Sequence, residues 1–166
     1  NLPSIFRQMN LIGVGTLPIA MLVALFVGMV LSVQTGTELA LYGTQEAIGA
    51  IVGVSMVKEL GPVMTSLLVA GRIGSAMAAE IGAMQVYEEI DALKTLEISP
   101  VRYLAMPRLI ACLFTVPALV AFAMVVGICG GGIVADVNPQ INVPFSVYYD
   151  NMTRALSYQE ILKGLL

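Results

Sequence analysis

Two windows of this chain, Leu11 to Val33 and Leu109 to Ala135, contain no Asp, Glu, Lys or Arg. Each exceeds the ~20 apolar residues that carry a helix across a ~30 Å hydrocarbon core. Inside lipid every backbone N–H and C=O must be satisfied by the protein, and a helix does this within a single segment. The fold class follows from these windows: an all-α integral membrane protein. Composition agrees, with 58% hydrophobic and 11% charged residues where soluble chains carry roughly 25% charged.

Around the two windows the rest of the chain falls into place. Span one covers about residues 11–33, and a polar stretch, Gln34 to Glu46, follows it as an outer loop. A second apolar region runs over about 46–71 and continues as a helix rich in small residues to about 84. Span three covers about 104–135, and short outer-side helices are expected near 144–163. Lys and Arg mark the side facing the cytoplasm. Arg7, Arg72, Lys94, Arg102 and Arg108 lie at the N-terminus and in the 72–108 region, and the 34–46 stretch has none. The N-terminus is therefore expected in the cytoplasm. The chain begins "NLPS" without an initiator Met and ends "EILKGLL", where apolar residues accumulate again. It reads as one transmembrane domain, residues 1–166, cut from a longer protein.

Several function classes are excluded. A net charge of −3 with no basic patch speaks against nucleic acid. No histidine is present, and the cysteines are Cys112 and Cys129, about 25 Å apart on one helix, so neither a zinc site of the usual kind nor a His-based triad can be built. No Gly-x-x-x-x-Gly-Lys-Ser/Thr loop is present, so the chain holds no P-loop for ATP. No nucleophile has a visible base. An enzyme active site is not expected.

Three patterns remain as candidates. Small residues recur every four positions along Gly71, Ser75, Ala79, Ala83 and along Gly74, Ala78, Gly82, a spacing that lets helices in lipid approach closely. The stripes suit packing within one subunit or a face between subunits. Lys58 and Glu59 lie about 18 Å into span two, where ionisable groups face a partner or a cavity. Pro62 gives no N–H to the carbonyl of Lys58, so a kink is expected there. The pair fits a structural ion pair with another helix, a polar element of a substrate cavity, or a span boundary lying elsewhere. Finally, "VYEEIDALKTLEISP" concentrates charge within residues 86–97. Val86, Ile90, Leu93 and Leu96 share one helical face, while Glu88, Asp91 and Thr95 lie opposite. Glu97 breaks the pattern and Ser99-Pro100 ends it. An acidic polar face is repelled by anionic lipid, which favours a protein partner over a solvated loop.

The segments "KELGPVMTSLLVAGRIGSAMAAEIGAM", "EEIDAL" and "SPVRYLAMPR" occur in this order, and with them the chain resembles the MlaE/YrbE family of ABC-transporter permeases. The match runs from about Val27 to Ile133. These permeases serve the Mla and MCE lipid-transport systems. The resemblance implies a fold of about five membrane-spanning helices, of which this chain holds three plus a cytoplasmic coupling helix over about 86–97. It implies a homodimer in the bacterial inner membrane, seated on two ATPase subunits and beneath a hexamer of MCE-domain proteins, moving phospholipid or a related lipid. ATP and Mg would be bound by the ATPase, leaving no cofactor in this chain. The lipid pocket would use Leu31, Leu39, Tyr42, Lys58, Glu59 and Leu60. Glu88, Glu89, Asp91 and Leu93 would form the ATPase contact, and Gly71, Gly74, Ser75, Ala78 and Gly82 the helix packing. Many members have Glu-Gln where this chain has Glu88-Glu89. An ion-coupled carrier or channel built on Lys58 and Glu59, and a scaffold that transports nothing, are the competing functions.

Overall fold

The structure, a computed structural model, describes residues 2–96, 100–156 and 163–164. Every regular element among them is helical. Helix α1 is Leu2–Tyr42, and a 3-10 turn over Gln45–Ala47 leads into α2, Ile48–Ser55. A π-helical segment, Met56–Leu60, joins α2 to α3, Gly61–Val86. Next come α4, Glu89–Thr95, then α5, Pro100–Val137, and α6, Phe145–Ala155. Among the described residues three stretches are long and apolar enough to cross a membrane: Met9–Leu41, Gln45–Val86 and Ala105–Val137. Helix α1 has 41 residues and α5 has 38, each more than the ~20 a hydrocarbon core requires.

Two boundaries differ from the sequence reading. The stretch expected as an outer loop from Gln34 is helical as far as Tyr42. The helix ends there because Gly43 takes φ +69°. The Thr44 N–H then bonds the Leu39 carbonyl at 3.1 Å and the Gly43 N–H that of Ala40 at 3.3 Å, the paired bonds of a Schellman ending. At Pro62 the helix adjusts by changing its hydrogen-bond ladder. The Gly61 N–H bonds the Met56 carbonyl, five residues back, so the missing donor of Pro62 is absorbed in a π turn.

By internal contacts the chain divides into two compact units, one of Asn1–Leu17 with Ser66–Ala118 and one of Pro18–Thr65 with Leu119–Leu166. The second is built on close backbone approach. Ala20, Ala24, Gly28, Ser32 and Gly36 recur every four residues as the buried stripe of α1 within this unit. A Cβ at Gly28 would overlap the Gly127 carbonyl, and one at Gly130 would lie 2.9 Å from the Leu25 carbonyl. Ser32 Oγ donates to the Gly131 carbonyl at 2.8 Å. Gly130-Gly131-Gly132 forms a packing site inside α5. On the other side α6 lies against α2. Gly49 and Gly53 make room there for the Tyr148 backbone and the Met152 side chain. Tyr148 is fully buried among Ile48, Val52, Met56, Ala135, Ile141 and Val143 and donates from its hydroxyl to the Ile128 carbonyl at 3.2 Å. Burial, with a smaller effect of Cys129, holds its phenol above the ordinary tyrosine value. Asn151 Nδ2 ties α6 to the Glu46 carbonyl at 2.9 Å.

In the first unit Ile12 and Ala111 are buried, a Cβ on Gly13 would stand 3.0 Å from Thr115 Cγ2, and polar ties also join the helices. Arg72 Nη1 of α3 donates to the Gly15 carbonyl of α1, and Arg108 Nη2 of α5 meets Glu80 Oε2 of α3 at 2.5 Å. The stripes at Gly71, Gly74, Ser75, Ala78 and Gly82 are exposed. Among the described residues nothing lies within 4 Å of where a Cβ would stand on Gly71, Gly74 or Gly82. The small-residue stripe that does pack is the one on α1.

Gly28→Leu is expected to cost on the order of 3 kcal/mol by overpacking the Gly28–Gly127 approach. Ser32→Ala should cost about 1 kcal/mol, the worth of an interhelical hydrogen bond in lipid. Unfolding of the purified protein in mixed micelles measures both, and equal stability of Gly28→Leu and the parent would contradict the packing described.

Candidate functional site

Span one is apolar on every side, so sequence alone cannot say which of its residues line a ligand space. In the second unit, Val27, Val30 and Leu31 of α1 and Leu60 and Met64 near the π segment enclose a groove of about 350 Å³, with Phe26 and the polar Gln34 completing its lining. The floor is held by the same core that fixes Tyr148, since Val27, Leu31 and Leu60 pack against that cluster. Spacing explains the α1 contribution: residues 27, 30, 31 and 34 lie on one face at i, i+3, i+4 and i+7. The groove is a surface for hydrocarbon.

Of the six residues expected in a lipid pocket, Leu31 and Leu60 line this groove. Leu39 instead packs half-buried on the core. Tyr42, 78% exposed, stands at the last residue of α1. Lys58 and Glu59 are exposed within the π segment. A π turn widens the helix by one residue and recurs at functional positions. It carries Lys58 and Glu59 in the turn that also delivers Leu60 to the groove. Phe26, Val27 and Val30 are not distinguished by type from their apolar neighbours in span one, Gln34 lies in the stretch expected as an outer loop, and Met64 lies in span two.

The acidic segment is shorter and more broken than its periodicity suggests. Val86 closes α3, Tyr87 and Glu88 form a turn, and α4 covers only Glu89–Thr95. Glu88 takes φ +58°, a left-handed conformation that costs a non-glycine residue roughly 1–2 kcal/mol. Its carbonyl accepts the Ala92 N–H at 3.0 Å, so the same residue ends one helix and starts the next. The four residues expected to share a face are thus divided between two helices and a turn. Ile90 and Leu93 are half-buried. Val86, Tyr87 and Leu96 are each more than two-thirds exposed, and Glu88, Glu89 and Asp91 stand exposed beside them. Glu97 and Ser99, expected at the end of this helix, lie outside the described residues.

These observations describe a membrane-spanning domain with an apolar groove and an acidic, apolar-tipped turn at the end of α3. A family model for the permease MlaE matches residues 5–166. The chain belongs to the MlaE permease family. It is similar to a protein of Haemophilus influenzae named as the permease MlaE of an intermembrane phospholipid transport system, 39% identical over 132 residues, which are 80% of this chain and 51% of that one. It is also similar to a probable ABC transporter permease of Synechocystis, 42% identical over 81% of this chain and 53% of the relative. A probable ABC transporter permease of Rickettsia typhi is 37% identical over 98% and 62% respectively. The chain spans about half to three-fifths of the length of these relatives. With three helices long enough to span, it is a multi-pass membrane protein of this family.

The left-handed turn makes a prediction for residue 88. Glu88→Gly should keep the turn and relieve about 1 kcal/mol of strain, whereas Glu88→Val should unsettle it, because a β-branched residue is worst in this conformation. Hydrogen exchange of the amides over residues 83–92 in the full-length protein reports both, with slower exchange for Gly and faster for Val.

Proposed function

We propose that the chain is the membrane permease part of an ABC transporter that moves phospholipid or a related lipid between membranes, driven by a separate ATPase subunit. The observation that carries the reading is the apolar groove beside the π turn in a member of the MlaE permease family. A groove lined by Val27, Val30, Leu31, Leu60 and Met64 accepts an acyl chain. Lys58 and Glu59 in the adjoining turn offer charge to a headgroup, with Leu39 and Tyr42 on the outer path. The phospholipid named for the Haemophilus relative supports the substrate class.

In this reading the turn and α4 are the coupling element. Glu88, Glu89 and Asp91 supply the charge, and Leu93 with the exposed Val86, Tyr87 and Leu96 supplies the apolar contact, a combination that suits a protein partner better than a lipid surface. ATP and Mg are handled by that partner, and the chain itself performs no chemistry. A second copy of the permease fits the open small-residue face at Gly71, Gly74, Ser75, Ala78 and Gly82, because small side chains let helices in lipid approach. An MCE-domain hexamer on the outer side, and a bacterial inner membrane with the N-terminus in the cytoplasm, complete the proposed assembly.

Two experiments on the full-length complex test this. Leu31→Trp fills the groove and should lower the phospholipid recovered by mass spectrometry of the purified complex severalfold, with the ATPase still bound. Glu88→Lys together with Asp91→Lys should release the ATPase in a pull-down while lipid recovery is kept. Full lipid recovery with Leu31→Trp removes the groove from the transport path. Unchanged co-purification of the ATPase with the double reversal removes the coupling role.

A further inference from the structure

A second cavity, about 220 Å³, is built from residues of the first unit alone. Leu11, Ile73 and Met77 give it an apolar side, and Thr16, Arg72 and Glu80 a polar one. Residues 72, 76 and 80 lie on one face of α3 at i, i+4 and i+8. Arg72 is held in place by its bond from Nη1 to the Gly15 carbonyl. A Cβ at Gly15 would stand 3.6 Å from Arg72 Nη2, in ordinary contact, so a side chain that branches further, such as Leu, would reach the guanidinium. Anchored through one nitrogen, Arg72 keeps its other donors for a ligand.

Charge is unevenly placed in this unit: apart from Glu80, its acidic residues are Glu88, Glu89, Asp91 and Glu97, beyond the end of α3. Glu80 is the single acidic residue on the parts of α1, α3 and α5 that belong to it, and Glu80 is already paired with Arg108. The Arg108 side chain is 7% exposed, and its Nη1 is buried with no hydrogen-bond partner among the described residues. Among the described residues the Glu80 carboxylate meets Arg108 while Arg72 bonds a carbonyl, in a stretch long and apolar enough to span a membrane, where a charge without a counter-charge is expensive. The anion that a bilayer supplies is the phosphodiester of a lipid headgroup, and guanidinium is the side chain whose planar donors match it.

We propose that this cavity is a phospholipid site, in which Arg72 binds the headgroup phosphate and Leu11, Ile73 and Met77 receive the beginning of an acyl chain. The volume holds a phosphodiester and the start of a chain, not a whole lipid, so most of the tail lies outside it. The site goes beyond the transport reading and does not depend on it, because the groove at Leu31 and Leu60 belongs to the other unit.

Photo-cross-linking of the full-length complex in cells grown with radioactive phosphate tests the site. A benzophenone amino acid at Met77 inserts into C–H bonds, so it captures a lipid and cannot capture inorganic phosphate. The expected result is a radioactive permease band that falls on the order of tenfold with Arg72→Gln, the loss of a charge-assisted hydrogen bond. Gly15→Leu should reduce it as well, and Arg72→Lys should retain part of it. The same probe at Val30, in the groove, should label equally in all three backgrounds. No label at Met77, or label there that ignores both Arg72→Gln and Gly15→Leu, overturns the proposal. Capture of a second permease copy at Met77 in place of phosphate label overturns it too, by naming a different occupant. Label at Met77 without label at Val30 upholds this site and counts against the groove.

Discussion

The second unit rests on the near contact of two backbones at Gly28 and Gly127. In lipid, apolar side chains gain nothing from leaving their surroundings, so association depends on van der Waals contact and interhelical hydrogen bonds. Both need small residues. Ala20, Ala24, Gly28, Ser32 and Gly36 on α1 and the glycines of α5 allow the approach, and the Ser32–Gly131 bond forms because the backbones are already close. The groove at Leu31 is a consequence. The α1 face holding Val27, Val30, Leu31 and Gln34 is the one left beside the packed stripe, and Leu60 and Met64 close it.

Proline sets the second constraint. In water a broken helix bond is taken up by solvent, but in lipid the protein itself must satisfy it. Pro62 is accommodated by a π turn, in which Gly61 reaches back to Met56. That turn presents Lys58 and Glu59 together with Leu60. One backbone adjustment thus joins the charged pair to the apolar groove. A plain kink at Lys58 would have offered no reason for this.

The first unit shows a different solution to helix association. Beside the apolar contact of Ile12, Gly13 and Ala111, its ties include a guanidinium on a carbonyl and an ion pair, and the small-residue face of α3 stays open among the described residues. Polar ties of this kind depend on the state of a few charged groups, whereas the Gly28–Gly127 approach depends on shape. The acidic turn at Glu88 belongs to this first unit, and its left-handed backbone places charge and exposed apolar side chains at the end of α3.

The sequence by itself determined the class. Uncharged windows longer than a bilayer needs, and the absence of histidine and of a P-loop, depend on composition and order alone. The Lys58–Met84 motif carried the family in the same way. Leu31 and Leu60 were legible as pocket residues only through that resemblance. Tertiary structure decided which residues sit beside them, because the large apolar residues on either side of the small-residue stripe are alike in type. It also decided which small-residue stripe packs. The stripes on α1 and on α3 look alike in sequence, and only the position of Gly127 distinguishes them. The turn at Glu88 was hidden for a related reason. A left-handed residue breaks the helical wheel without breaking the pattern of apolar and acidic letters from which the wheel was drawn.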